Sequence, residues 1–110
     1  ITSVAGERGR QSNFIYGAAK SMVSTYLQGL RGKLLPIGVH VIDIKPGLVD
    51  SPMTAGFKKG ALWSTPKSVA TKIVKGVDRK QNTIYAPGYW RFLMLTVRSI
   101  PEFIFKKIKI

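Results

Sequence analysis

Ser3, Tyr16 and Lys20 are the residues of this chain whose types and spacing could do chemistry together. Tyr16 and Lys20 stand four apart in Tyr16-Gly17-Ala18-Ala19-Lys20. On a helix that spacing puts the phenol and the ammonium on one face, one turn apart. A neighbouring ammonium favours the phenolate, so such a tyrosine can give and take a proton near neutral pH. Ser3, thirteen residues ahead of the tyrosine, supplies a second hydroxyl for the same substrate oxygen. The trio suits carbonyl reduction or alcohol oxidation, with hydride carried by a separate cofactor.

These residues need elements that hold them. Ile1 to Val4 reads as the end of a buried strand, stopped by Gly6, and Glu7 to Gln11 as a polar loop. Neighbours on a strand point to opposite faces, so only one of Thr2 and Ser3 can reach the site. Ser12 or Asn13 is placed to cap a helix from about Phe14 to Leu35. Its apolar rows are Ala18, Met22, Tyr26 and Leu30, and Val23 with Leu27, and Pro36 and Gly38 end it. Val39 to Ile44 alternates like a strand and stops at Pro46-Gly47. Strand, helix and strand make a βαβ unit with a parallel pair, whose ligand crevice lies at the carboxyl ends of the strands.

Ser51 to Trp63 reads as a loop, and Thr65-Pro66 as a helix start with Thr65 as the cap. Val69, Ile73, Val74 and Val77 form the stripe of that helix, and Thr83 to Ala86 is a short strand. The apolar run from Tyr89 to Ile100 is twelve residues, against the roughly 20 that cross a bilayer.

Three segments resemble the short-chain dehydrogenase/reductase superfamily in order and spacing. They are Ile1-Thr2-Ser3-Val4-Ala5-Gly6, Tyr16-Gly17-Ala18-Ala19-Lys20, and Pro46-Gly47-Leu48-Val49-Asp50-Ser51-Pro52-Met53. The tail from Tyr85-Ala86-Pro87 to Lys107 is similar to the subgroup of decaprenylphosphoryl-2-keto-ribose reductases. The resemblance implies an α/β chain, the C-terminal half of a Rossmann-like doubly wound parallel sheet, with residues 1–110 as part of a single domain. The family's glycine-rich phosphate turn, its ribose selector and its Asn-Ala-Gly segment all precede the serine and are not among these residues, so the chain is expected to be a fragment.

The resemblance makes Ser3, Tyr16 and Lys20 catalytic. It gives Tyr16, Lys20, Pro46, Gly47, Val49 and Ser51 to an NAD(P) cofactor, NADP before NAD. Tyr16 acts as general acid or base, Lys20 also holds the nicotinamide ribose, and the backbone near Val49 meets the carboxamide. Ser51 stands where the family has threonine and keeps the hydroxyl. The substrate is a small or lipid-linked carbonyl or secondary alcohol, and the expected assembly is a homo-oligomer. The alternative is a non-catalytic Rossmann-like binding or membrane-surface module.

Composition narrows the rest. Without cysteine there are no disulfides or thiolate metal sites, which fits a reducing, cytoplasmic setting. A single histidine, His40, argues against a histidine-built zinc site. The formal charge of +13 has three readings: acidic residues outside this segment, attraction of an anionic cofactor, or a membrane surface. No nucleic-acid motif accompanies it, and no nucleic-acid partner is expected. The tail from Tyr89 to Ile110 has two readings. Its apolar side chains close a core or an oligomer interface. Alternatively Trp90, Phe92, Phe103 and Phe105, with Arg91, Arg98, Lys106, Lys107 and Lys109, make a peripheral membrane contact.

Overall fold

A computed structural model describes all 110 residues. Two short parallel strands, β1 (Asp43–Pro46) and β2 (Thr83–Ala86), pair with Asp43 opposite Thr83 and Pro46 opposite Ala86. Four helices surround them: α1 (Phe14–Leu34), α2 (Pro66–Asp78), α3 (Trp90–Ser99) and α4 (Glu102–Phe105). The result is a partial Rossmann-like α/β fold.

The βαβ unit it contains is β1–α2–β2, one step later than the sequence pattern suggests. Ile1 to Ser3 forms no strand. Its one backbone bond toward β1 runs from Thr2 N–H to Ile44 O, 2.7 Å, and a 3₁₀ turn starts at Val4. Thr2 also spends its hydroxyl on β1, donating to Asp43 Oδ1 at 2.5 Å. Residues 39–42 are not strand either. Val41 O, which a ladder would use, accepts Arg31 Nε–H at 3.0 Å instead, and the His40 side chain meets Gln81 O through Nε2 at 3.0 Å.

The helix ends follow local chemistry. α1 passes into a 3₁₀ turn (Leu35–Ile37) that Gly38 closes with φ of 76°, the left-handed region where glycine carries no Cβ penalty. Thr65 caps α2, its hydroxyl accepting Ser68 N–H at 3.2 Å, with Pro66 in the first turn. α2 buries Val69 and Gly76 and half-buries Ile73, whereas Val74 and Val77 of the expected stripe are exposed. The reason lies at Gly76: a Cβ there would stand 2.2 Å from Ile84 Cδ1, so the helix rests on β2 through a glycine.

α1 turns an unexpected side inward. Gly17 is buried, and Ser21, Ser24, Leu27 and Arg31 are half-buried along the same face. Of the expected rows, Leu27 and Leu30 are half-buried, whereas Ala18, Val23, Met22 at 70% and Tyr26 at 67% are exposed. Small residues lie inward because the Val4–Glu7 turn packs directly on the helix backbone. A Cβ on Gly6 would stand 2.8 Å from Ser21 N, and one on Gly17 2.7 Å from Ala5 O. The core proper is Val4, Tyr85 and Met94, with Trp90 and Val97 against them, between that turn, β2 and α3.

Candidate active site

Ser3 and Tyr16 come together in the wall of one cavity of about 460 Å³. Gly47, Leu48 and Val49 face the same space from the loop beyond the carboxyl end of β1. Trp90, Met94 and Val97 of α3 close it from the other side, and Met53 and Phe57 from the loop before α2. Of the residues singled out in the sequence, Ser3, Tyr16, Gly47 and Val49 thus share a cavity. Lys20, Pro46 and Ser51 are outside its lining. Lys20 stays beside the tyrosine, its Nζ 5.6 Å from the centre of the Tyr16 ring.

Ser3 has a defined hydrogen-bond state. It is the residue before the Val4–Glu7 turn, and its Oγ accepts Ala5 N–H at 3.1 Å. One of the oxygen's two lone pairs serves the turn, and the hydroxyl proton is left to donate. Tyr16 is 37% exposed and lines the same cavity. Asn13, expected as a helix cap, occupies the cap position of α1 but makes no capping bond with its side chain, which lines the cavity instead.

The loop after β1 is held by a residue that the sequence reading passed over. Thr54 Oγ1 accepts Ser51 N–H at 3.1 Å and donates to Val49 O at 2.7 Å. Gly47 must be glycine for a steric reason, since a Cβ there would fall 2.0 Å from Trp90 Nε1. That indole N–H is buried without a partner.

Beneath the site lies a buried charged cluster. Glu7, expected in a polar loop, ends the 3₁₀ turn with its side chain 4% exposed. Its Oε1 receives Lys45 Nζ at 2.9 Å and the Tyr85 hydroxyl. Burial pushes the Tyr85 phenol up to about 12, and its bond to Glu7 and that carboxylate's charge add to the effect. The cluster joins the turn that follows Ser3 to both strands. Arg8 ties the same turn to α3 by donating to Val97 O at 2.6 Å and Ile100 O at 2.5 Å, and to Glu102 at 2.9 Å. Its guanidinium lies 3.8 Å from the centre of the Phe105 ring. Those two carbonyls stand at the C-terminal end of α3, where a cation fits the helix dipole. A glutamate next to glycine gives no sequence signal of burial, because its partners lie 38 and 78 positions away.

The tail divides between its two readings. Trp90, Met94, Val97 and Phe105 point inward, so Trp90 and Phe105 do not belong to an outer anchor. Phe92, Leu95, Phe103 and Ile104 point outward.

Residues 1–61 match the family described as short chain dehydrogenase. Over 98% of its length the chain is similar to an uncharacterized oxidoreductase of Streptomyces coelicolor, with 36% identity over 110 residues and 43% of that relative covered. An uncharacterized oxidoreductase of Mycobacterium tuberculosis is 30% identical over 108 residues, again 98% of this chain and 43% of the relative. One from Staphylococcus epidermidis is 41% identical over 56 residues, 51% of this chain and 24% of the relative. The chain therefore spans less than half the length of these curated relatives.

Proposed function

The chain belongs to the short-chain dehydrogenase family, and from that premise we propose that it forms the proton-handling half of an NAD(P)-dependent oxidoreductase, the C-terminal part of a single domain. The observation that carries this reading is the shared cavity of Ser3 and Tyr16, with Ser3 Oγ already accepting Ala5 N–H. A serine in that state donates to a substrate oxygen. Tyr16 gives its proton to that oxygen in reduction and takes it back in oxidation. Lys20, over the phenol ring, offsets the negative charge left on the tyrosine oxygen.

The residues present fit the nicotinamide end of the cofactor. Thr54 occupies the Val49 carbonyl, which leaves the Val49 N–H as the group to meet a carboxamide oxygen. Lys20 and Tyr16 would hold the ribose hydroxyls, with Pro46, Gly47 and Ser51 beside them. The chemistry that a bound nicotinamide supplies is hydride transfer at its C4. NADP is proposed before NAD, since a chain of formal charge +13 attracts the more anionic of the two.

The substrate is a carbonyl or secondary alcohol, and the cavity walls favour one with a large apolar part. Leu48, Met53, Phe57, Met94 and Val97 supply that surface, and Arg10 adds a cation for an anionic group. A lipid-linked substrate of the decaprenylphosphoryl-2-keto-ribose class suits this mixture.

The test is turnover of nicotinamide cofactor in the chain rejoined to a dinucleotide-binding half. Tyr16→Phe should cost at least ~100-fold, the low end for a general acid–base. Turnover in the phenylalanine variant close to the parent's would overturn the assignment.

A further inference from the structure

We propose that the outer surface of α3, α4 and the last residues is a docking face for an anionic lipid bilayer, and that docking brings the cavity mouth to the membrane. The outward side chains are apolar: Phe92 is 71% exposed, Phe103 66%, Leu95 54% and Ile104 45%. Leu95, Ile100, Pro101, Ile104 and Ile108 line a shallow groove there. None of this surface is needed for the core, which Trp90, Met94 and Phe105 already close from the inner side.

Charge selects the occupant. Residues 89–110 carry Arg91, Arg98, Lys106, Lys107 and Lys109 against one acid, Glu102. That acid is already paired with Arg8 at 2.9 Å. Arg91 is turned toward the Tyr85 ring, 5.2 Å from its centre, so the free cations next to this face are Lys106, Lys107 and Lys109. Aromatic and aliphatic side chains beside such unopposed cations match the headgroup–acyl boundary of an anionic leaflet. The exposed apolar face of α1, Ile15, Met22 and Tyr26, has fewer free cations beside it, because Arg31 donates to Val41 O and Asn82 O and Lys20 lies over the Tyr16 ring, which leaves Lys33; that face suits a protein neighbour instead.

Geometry allows lying on the surface and forbids crossing it. No helix is long and apolar enough to cross a membrane. The ten residues of α3 extend about 15 Å, half of the roughly 30 Å hydrocarbon core. The face is also continuous with the cavity. Ile108 lines the groove, Ile110 lines the cavity, and Gln11 Nε2 holds Ile108 O at 2.9 Å. Arg10, one residue from Gln11, sits at the same cavity wall.

This inference does not depend on the oxidoreductase reading, and its test needs no turnover. The chain is sedimented with vesicles of phosphatidylcholine alone and of phosphatidylcholine mixed with phosphatidylglycerol, at low and high salt. It should partition to the mixed vesicles, be released by salt and leave the neutral vesicles. Changing Lys106, Lys107 and Lys109 together to Gln should weaken binding on the order of 100-fold. Leu95→Ser with Ile104→Ser should weaken it at least ~10-fold. Met22→Ser with Tyr26→Ser on α1 should leave it unchanged. If the Leu95/Ile104 variant melts below the parent, the exposed lysine set alone decides. Equal binding to both vesicle types, no binding to the mixed ones, or binding indifferent to the lysine set would overturn the proposal. So would a dimer in the absence of vesicles that the Leu95/Ile104 change dissolves, because a second copy would then own the face.

Discussion

At the scale of single residues, the Glu7 carboxylate organises the surroundings of Ser3. It receives Lys45 and Tyr85 from the two strands while belonging to the turn that Ser3 opens. The Tyr85 phenol, raised from near 10 to about 12, should ionise late in the folded protein. A spectrophotometric titration of phenolate should show that late step, and Tyr85→Phe should remove it. The sign for stability follows directly. Below pH 10 the phenol is protonated in both folded and unfolded chains, and its stabilising contribution is complete. As pH rises from 10 to 12 the unfolded chain ionises first, so that contribution is lost. Urea midpoints should therefore fall more steeply over that window in the parent than in Tyr85→Phe. Gly47→Ala tests the other wall of the site. Its Cβ would overlap the Trp90 indole at 2.0 Å, which must rotate. A cost of about 1–3 kcal/mol in urea unfolding is expected, with a shifted tryptophan emission.

At the scale of elements, α1 is held by backbone contact more than by side-chain volume. Gly6 and Gly17 let the Val4–Glu7 turn lie against the helix, where added Cβ atoms would meet backbone at 2.8 and 2.7 Å. Backbone cannot step aside as a flexible side chain can. Gly17→Ala should therefore destabilise despite alanine's better helix propensity. Gly29 and Gly32, with nothing within 4 Å of a Cβ, provide the contrast. Alanine at either should stabilise by about 0.5–1 kcal/mol. Opposite signs in chemical denaturation would separate the close-packed glycines from the free ones. Equal gains at all three positions would contradict the packing described. In α2, Thr65→Ala removes the acceptor for Ser68 N–H and should cost about 1 kcal/mol.

At the scale of the whole molecule, only 12 of 110 residues are buried, so much apolar surface is left facing outward. The face of α1 with Ile15 at 75%, Met22 and Tyr26 exposed is the largest unpartnered stretch on one element. Burying a side chain of this kind stabilises by about 1.5–3 kcal/mol, a large share of what holds a small domain together. The 110-residue chain is therefore expected to associate, either with itself or with the rest of a longer enzyme, through α1. Light scattering at micromolar concentration should report an oligomer that Met22→Ser with Tyr26→Ser weakens. A cooperative, well-folded monomer would refute this.

The sequence by itself determined the parts that depend on local chemistry. Thr65-Pro66 opened α2, Gly38 closed the turn after α1, Thr83 to Ala86 made a strand, and the three spaced segments around Ser3, Tyr16 and Pro46 pointed to the family. The turn, cap and strand rest on residues a few positions apart, whose backbone preferences act without help from distant chain, and the family segments rest on their order and spacing along the chain. Tertiary structure decided what periodicity left open. It chose the glycine and serine side of α1 as the inner face, because the turn after Ser3 needed backbone contact there. It put Trp90 over Gly47 and split the tail into an inner and an outer surface. It also made Glu7 a buried ion-pair partner of residues far along the chain. Burial depends on which distant surfaces meet, and spacing along the chain carries no record of that.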